Sequence, residues 1–117
     1  MQGKRLDRVN QLIKEEISTL LQRELKDPRL GFVTVTEVET SKDLRVAKVF
    51  VSVLGDEDRW AASLAALGSA RGFIRQWLRH HLDLRVTPEL DFRADHSMEH
   101  AARIQALLRR LNEDAPS

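Results

Sequence analysis

Residues 64–82 constrain the fold most, because they encode two short helices with a break between them. The first half of this segment is apolar and rich in alanine, and Gly68 and Gly72 then follow close together. A glycine inside a helix costs about 1 kcal/mol relative to alanine. Two glycines at this spacing therefore predict a kinked helix pair at Gly68–Gly72. Close packing of the two helices, without any functional role, is the alternative explanation for the same glycines.

Three arginines accompany the break at intervals of four residues: Arg71, Arg75 and Arg79. This spacing places them on one face of the second helix. Residues 59–88 contain five basic residues and one acidic residue, a net charge of +4, although the whole chain carries only +1. Because local charge steers an anionic partner, we predict that this face binds the phosphates of a nucleic acid. The alternative is an ordinary solvated helix face.

The opposite side of the second helix is apolar and is predicted to be buried. Its residues are Phe73, Ile74, Trp77 and Leu78. Tryptophan rings also stack on bases in single-stranded nucleic acids. Trp77 shares its face with apolar residues and is assigned to the core. For Trp60 the sequence leaves two alternatives, packing in the core and stacking on bases.

The rest of the chain predicts a small α+β domain. Residues 5–26 form a long amphipathic helix, since apolar residues recur every three or four positions, and Asp27-Pro28 ends it. Residues 32–39 and 44–54 are rich in β-branched types and predict two antiparallel strands. Acidic residues 56–58 open the next helix, residues 89–95 alternate in polarity as a third strand, and a last amphipathic helix follows from Ser97 to Leu111.

The order of these elements is helix, strand, strand, kinked helix pair, strand, helix. Helices packed on one face of a three-stranded sheet give an α+β sandwich. At 117 residues the chain is expected to form a single domain over residues 1–111, followed by a short polar tail at residues 112–117.

Composition excludes several classes of protein. The chain has no cysteine, which excludes disulfides, thiolate metal sites and cysteine nucleophiles. The N-terminus lacks the apolar core of a signal peptide, and apolar runs such as residues 49–51 are far too short to span a bilayer. We therefore expect a cytoplasmic protein without a membrane partner.

One short pattern resembles a catalytic motif. Residues 96–100 match H-x-x-E-H, an inverted zinc-protease pattern. Zinc binding requires both histidines on one helix face. Asp95 and Ser97 are both good helix caps, and a cap at Ser97 leaves His96 outside the helix. We interpret the match as chance and predict no catalytic residue, no metal and no cofactor.

In order and spacing the segments resemble the type II KH fold, αββααβ with a C-terminal helix. They resemble more closely one family with that fold, ribosome-binding factor A, a bacterial small-subunit assembly factor. The family has an Ala-x-Gly kink in place of the usual Gly-x-x-Gly loop, seen here as Ala70-Arg71-Gly72. The other matching segments, which span nearly the whole chain, are Arg5-Leu-Asp-Arg-Val9, Lys26-Asp-Pro-Arg29, Val33-Thr-Val-Thr-Glu-Val38, Asp43-Leu44, Ala47-Lys-Val-Phe-Val51 and Asp95-His-Ser97.

The resemblance implies a non-catalytic factor that binds the free small (30S) ribosomal subunit and its 16S rRNA and promotes late maturation of that rRNA. We expect it to act as a monomer, with other assembly factors as further candidate partners. The alternative function is a KH-like protein-interaction module, in which the arginines bind an acidic partner protein. The RNA-binding residues expected in this chain are Ala70, Arg71, Gly72, Arg75 and Arg79, together with Lys4, Arg5 and Arg8 of the first helix.

Overall fold

A computed structural model describes residues 2–114 of the chain. The order of the elements confirms the predicted α+β fold, with the kinked pair formed by the second and third helices. Among residues 2–114, no helix combines the length and the apolar character needed to cross a membrane. The elements are α1 (Gln2–Arg23), β1 (Phe32–Thr40), β2 (Val46–Leu54), α2 (Glu57–Ser69), α3 (Arg71–His81), β3 (Glu89–Ala94) and α4 (Ser97–Glu113).

The strands form one sheet in the order β1-β2-β3. β1 and β2 pair antiparallel, as predicted, with Val35 opposite Val51. β2 and β3 pair parallel, with Val49 opposite Phe92. Parallel neighbours need a crossover connection, and α2 and α3 supply it. The helix pair is therefore tied to the sheet at both of its ends.

The core lies between the sheet and the first three helices. The apolar stripe predicted for the first helix is confirmed, since Val9, Ile13, Ile17 and Leu20 are buried. Burial of each such side chain stabilises the fold by about 1.5–3 kcal/mol. The apolar side of α3 joins the same cluster, so the opposite side of α3 is left at the surface. Large fully buried residues contributed by the other elements include Val49, Val51, Leu67, Ile74 and Leu78.

Most elements begin or end one to three residues from the predicted bounds, and for α1 and β2 the structure shows the reason. α1 ends at Arg23 and not at residue 26, because the amides of Glu24 and Leu25 both donate to the carbonyl oxygen of Leu20, at 2.9 and 3.0 Å. β2 begins at Val46 and not at residue 44. Leu44 has a φ of 62°, in the left-handed region that strands do not contain.

The last helix, α4, projects from the domain and has no buried residue. It continues to Glu113, beyond the predicted end at Leu111, and residues 115–117 of the predicted tail lie outside the described residues. The radius of gyration is 17.3 Å, against about 13 Å for a compact chain of this length. α4 therefore does not share the packing of the other three helices. Its apolar residues are 46–63% exposed: Met98, Ile104, Leu107, Leu108 and Leu111.

The N-terminal turn of α4 is the part that is tied to the domain. The indole Nε1 of Trp60 donates to Oε1 of Glu99 at 3.1 Å. The ring of Trp60 stacks on the ring of His96, with centroids 4.0 Å apart. Trp60 is only 6% exposed, so it is a packing residue and does not present its ring for stacking on bases.

Replacing Leu107 and Leu111 of α4 together with alanine is expected to change the free energy of unfolding by less than about 0.5 kcal/mol, the range of surface substitutions. Both side chains are more than half exposed, and alanine preserves the helix. Urea unfolding followed by tryptophan fluorescence measures the effect, because Trp60 and Trp77 both lie in the domain. A loss above about 1.5 kcal/mol, the scale of a buried leucine, would show that α4 packs on the domain in solution.

Candidate nucleic-acid interface

The helix break is a single residue, Ala70, which ends α2 and begins α3. Its φ of −88° and ψ of 0° depart from helical values. Its amide still donates to the carbonyl of Ala66 at 3.0 Å, and its carbonyl accepts from the amide of Ile74 at 2.9 Å. No side chain caps the N-terminus of α3. The chain therefore changes direction at Ala70 while helical hydrogen bonds run across the break.

The predicted break is confirmed in position, but neither glycine forms it. Gly68 lies inside α2 and Gly72 inside α3, and among the described glycines only Gly55 has a positive φ. A Cβ at Gly68 or Gly72 would meet no neighbouring atom within 4 Å. The two glycines are therefore not needed for close packing of the two helices, so the alternative explanation does not hold. Their lack of side chains leaves the surface beside the break open.

The three arginines predicted to bind phosphate all lie on α3, at intervals that place them on one face. Arg71 and Arg79 are exposed, whereas Arg75 is half-buried. The Nε and Nη2 groups of Arg75 donate to the carbonyl oxygen of Thr87, at 3.3 and 2.9 Å. Arg75 therefore fixes the chain before β3, and the guanidinium groups of Arg71 and Arg79 are the more accessible ones.

The opposite side of α3 holds the helix on the core, with one exception to the prediction. Ile74 and Leu78 are fully buried, but Phe73 is 53% exposed, because it stands in the first turn of α3, at the edge of the apolar face. Trp77 packs against the core as predicted. Its Nε1 donates to Oε1 of Glu16 at 2.8 Å, and its ring stacks on His81 with centroids 3.9 Å apart.

The basic residues predicted on the first helix, Lys4, Arg5 and Arg8, are all exposed. Arg5 lines a cavity together with Val86, and Val86 also lines the neighbouring cavity beside Arg75. The fold thus brings Arg5 near Arg75, although they are far apart in the sequence. Sequence reasoning missed the basic residues that line the same two cavities: Lys42, Arg45 and Arg85. Each is an isolated loop residue, and only the fold places them together.

The segment between β3 and α4 is fixed by the carboxylate of Asp95. One oxygen accepts from the hydroxyl of Thr36 at 2.6 Å, and the other accepts from the amide of Ser97 at 2.9 Å. The hydrogen bond from Thr36, followed by those from Ser97, holds the pKa of Asp95 below its ordinary value of 3.8. The N-cap of α4 is His96 and neither of the residues predicted for that role, but Asp95 still satisfies a first-turn amide.

Replacing Asp95 with asparagine is expected to lower the free energy of unfolding at neutral pH by about 1 kcal/mol, because the hydrogen bonds from Thr36 and Ser97 then go to a neutral oxygen and not to a charged one. Because the folded-state pKa of Asp95 is lowered, its ionised form stabilises the fold above the ordinary pKa, and this contribution is lost as the pH falls through the folded-state value. The difference between wild type and variant therefore shrinks on acidification. Urea unfolding at neutral pH and near pH 3 measures it, and a pH-independent difference would contradict this role of the carboxylate.

The zinc-protease pattern at residues 96–100 is not assembled into a metal site. His96 lies outside the body of α4 and stacks on Trp60, and its Nδ1 is 3.4 Å from Oε2 of Glu99. In the described part of the chain, no group of three or more histidine, aspartate or glutamate side chains is placed to hold a metal ion. His96 instead belongs to the junction between the domain and α4.

The chain is similar to proteins of one family in both sequence and fold. A family model described as Ribosome-binding factor A matches residues 5–108. Ribosome-binding factor A of Halothermothrix orenii is 47% identical over 117 residues, which cover 100% of this chain and 96% of the relative.

Two structures from Thermus thermophilus have the same fold. The crystal structure of ribosome-binding factor A from this organism has a TM-score of 0.68 and 29% identity, over 76% of this chain and 94% of that chain. A homology model of the Thermus thermophilus factor, fitted into the cryo-EM map of a 30S–RbfA complex, has a TM-score of 0.63 and 30% identity, over 74% of this chain and 91% of that chain.

Proposed function

We propose a function from one premise, that the chain belongs to the ribosome-binding factor A family. The model of this family matches residues 5–108, and one member of the family aligns with the full chain. In this proposal the protein binds the free small (30S) ribosomal subunit as a monomer in the cytoplasm. It contacts the 16S rRNA and promotes the late maturation of that rRNA. The Thermus thermophilus relative fitted into the map of a 30S complex supports the small subunit as the target.

The observation that carries the proposal is the cationic face of α3. Arg71 and Arg79 are exposed on it, while Ile74 and Leu78 fix the other side of the helix in the core. A guanidinium group forms paired, charge-assisted hydrogen bonds with phosphate. Folded RNA is recognised largely by its shape and its sugar–phosphate backbone. A rigid helix that presents two accessible guanidinium groups fits such a target.

The helix break adds a surface on which an RNA backbone can approach closely. Ala70 has a single methyl group and Gly72 has no side chain, and the space around Gly72 is open. The usual KH Gly-x-x-Gly loop is absent from this position, so clamping of single-stranded RNA in the usual KH manner is not part of the proposal. Contacts to phosphate release counterions, so the affinity falls steeply as the salt concentration rises.

Depletion of the protein from its own cells tests the maturation step. We expect precursor 16S rRNA to accumulate in free small subunits, and plasmid-borne wild-type protein to restore the mature form. A variant that lacks the cations of Arg71 and Arg79 is expected not to restore it. An unchanged ratio of precursor to mature 16S rRNA after depletion would overturn the proposed role.

Digestion of RNA separates this proposal from the alternative of a protein-interaction module. Under the proposal, treatment of the purified complexes with nuclease releases the protein from its partners. Under the alternative, the arginines bind acidic side chains of another protein, and co-purification survives complete digestion of the RNA.

A further inference from the structure

Three separate parts of the chain meet at one end of the domain. They are the start of α1, the turn between β1 and β2, and the loop between α3 and β3. Arg5, Lys42 and Arg85 line one cavity at this end. Arg45 and Arg75 line a second cavity, and Val86 lies in the wall of both. Five cationic side chains from four places in the sequence thus surround two adjoining depressions.

The carboxylates at this end do not cancel the positive charge. Asp43 and Glu89 are the acidic residues that line the two cavities. Asp43 is used within its own turn, where one oxygen accepts from the hydroxyl of Ser41 at 2.7 Å and from the amide of Arg45 at 3.1 Å. The Nε atom of Arg45 is 3.8 Å from the other oxygen, a loose pair, and the Arg45 side chain is 80% exposed. A net positive charge therefore faces solvent.

The backbone that carries these cations is well fixed. Ser41 and Val46 close the turn with two hydrogen bonds, of 2.8 Å between their backbones and 3.1 Å to the hydroxyl of Ser41. The amide of Glu89 donates to the carbonyl of Arg45 at 2.8 Å, which joins the start of β3 to the start of β2. The hydrogen bonds from Arg75 to Thr87 fix the adjoining loop. Binding at this end needs little ordering of the backbone, so little affinity is lost to it.

We propose that Lys42, Arg45 and Arg85 bind the sugar–phosphate backbone of folded RNA and extend the arginine face of α3, through Arg75, to the start of α1. The proposal rests on the proposed function, since it takes rRNA as the ligand. Phosphate is favoured because two of the three new cations are guanidinium groups, which match it with paired hydrogen bonds. Val46 and Val86, 42% and 41% exposed between the cations, offer apolar contact to ribose.

The test compares two triple variants of the full chain that lose the same charge. One carries Lys42→Gln, Arg45→Gln and Arg85→Gln, and leaves Arg75 with its structural hydrogen bonds. The matched control carries Arg103→Gln, Arg109→Gln and Arg110→Gln, all exposed on α4. Equilibrium binding is measured over a range of salt concentrations, with purified free small subunits and with a base-paired RNA hairpin of non-ribosomal sequence. Circular dichroism verifies that both variants are folded.

We expect the loop variant to bind small subunits at least about tenfold more weakly than wild type, and the slope of log affinity against log salt to shrink by about three, one for each phosphate contact. Binding of the hairpin weakens as well, because the contacts are to the backbone. The α4 control keeps both the affinity and the slope of wild type.

The other possible results separate the inference from the proposed function. If the loop variant binds small subunits as wild type does while loss of Arg71 and Arg79 abolishes binding, the inference fails and the proposed function stands. If the loop variant loses small subunits but binds the hairpin normally, this surface meets a ribosomal protein and not RNA. If wild type binds the hairpin but not small subunits, the proposed function fails. The inference then stands only if the loop variant binds the hairpin more weakly than wild type does. If wild type binds neither probe, both fail.

Discussion

Replacing Arg71 and Arg79 together with glutamine is expected to weaken binding to the free small subunit by about 100-fold. Each substitution removes a charge-assisted hydrogen bond to phosphate, worth about 1.5–3 kcal/mol, and about 3 kcal/mol in total corresponds to about 100-fold in affinity. The slope of log affinity against log salt is expected to shrink by about two. Titration of purified small subunits at several salt concentrations measures both quantities.

The effect on folding is expected to be small, which keeps the result interpretable. Both side chains are exposed, and glutamine is as good a helix former as arginine. Arg71 stands at the N-terminus of α3 and Arg79 in its last turn, so their interactions with the helix dipole have opposite signs and partly cancel. The matched control is the pair Arg109→Gln and Arg110→Gln on α4. Equal losses of affinity in the two pairs would show that only total charge matters and that α3 is not the binding face.

The second large effect is expected from replacing Leu78 with alanine, which we predict to lower the free energy of unfolding by about 2–5 kcal/mol. Leu78 is fully buried in the core cluster, and truncation removes apolar contacts and leaves a cavity. Domains of this size are stable by only about 5–15 kcal/mol, so a large part of the total is lost. Urea unfolding followed by tryptophan fluorescence measures the change.

Leu78 also links stability to the interface, because it fixes the helix that carries the arginines. If the arginine face needs a rigid helix, Leu78→Ala weakens binding to the small subunit even under conditions in which most of the protein is folded. The comparison is with the double alanine variant of Leu107 and Leu111, whose side chains are exposed. A destabilisation of less than about 1 kcal/mol at Leu78 would contradict its place in the core, since loss of a buried leucine costs at least about 2 kcal/mol.

Sequence periodicity predicted the helices and the core faces well where burial follows from local pattern. Ile13 and Ile17 recur with the period of a helix and are fully buried, because an amphipathic helix beside a sheet buries its apolar face by packing that face against the sheet. Phe73 shows the limit of this reasoning. A helical wheel groups it with Ile74, but the core ends before it, and only the packing of α3 on the sheet determines where that edge falls.

The helix break was predicted in the right place for an incomplete reason. Glycine propensity marks a weak region of the helix, but Gly68 and Gly72 both take helical conformations. Ala70 takes the non-helical one, and which residue bends depends on how α2 and α3 pack on the sheet. Propensity alone does not contain that information.

The basic loop residues and the exposed face of α4 depend on tertiary structure even more. Lys42 and Arg85 are far apart in the sequence and have no periodic pattern, so only the turn at Leu44 and the crossover through α2 and α3 bring them together. The apolar pattern of α4 predicts a helix correctly, but a pattern does not say what a helix packs against.

Sedimentation of a cell lysate through a sucrose gradient tests whether the cations of α3 hold the protein on the small subunit. Wild type is compared with the variant in which Arg71 and Arg79 are replaced with glutamine, and the two proteins are expressed at equal levels. We predict that wild type travels with free small subunits and not with complete ribosomes, and that the variant stays near the top of the gradient. Wild type confined to the soluble fractions, or both proteins travelling equally with the small subunit, would contradict this function for the arginine face.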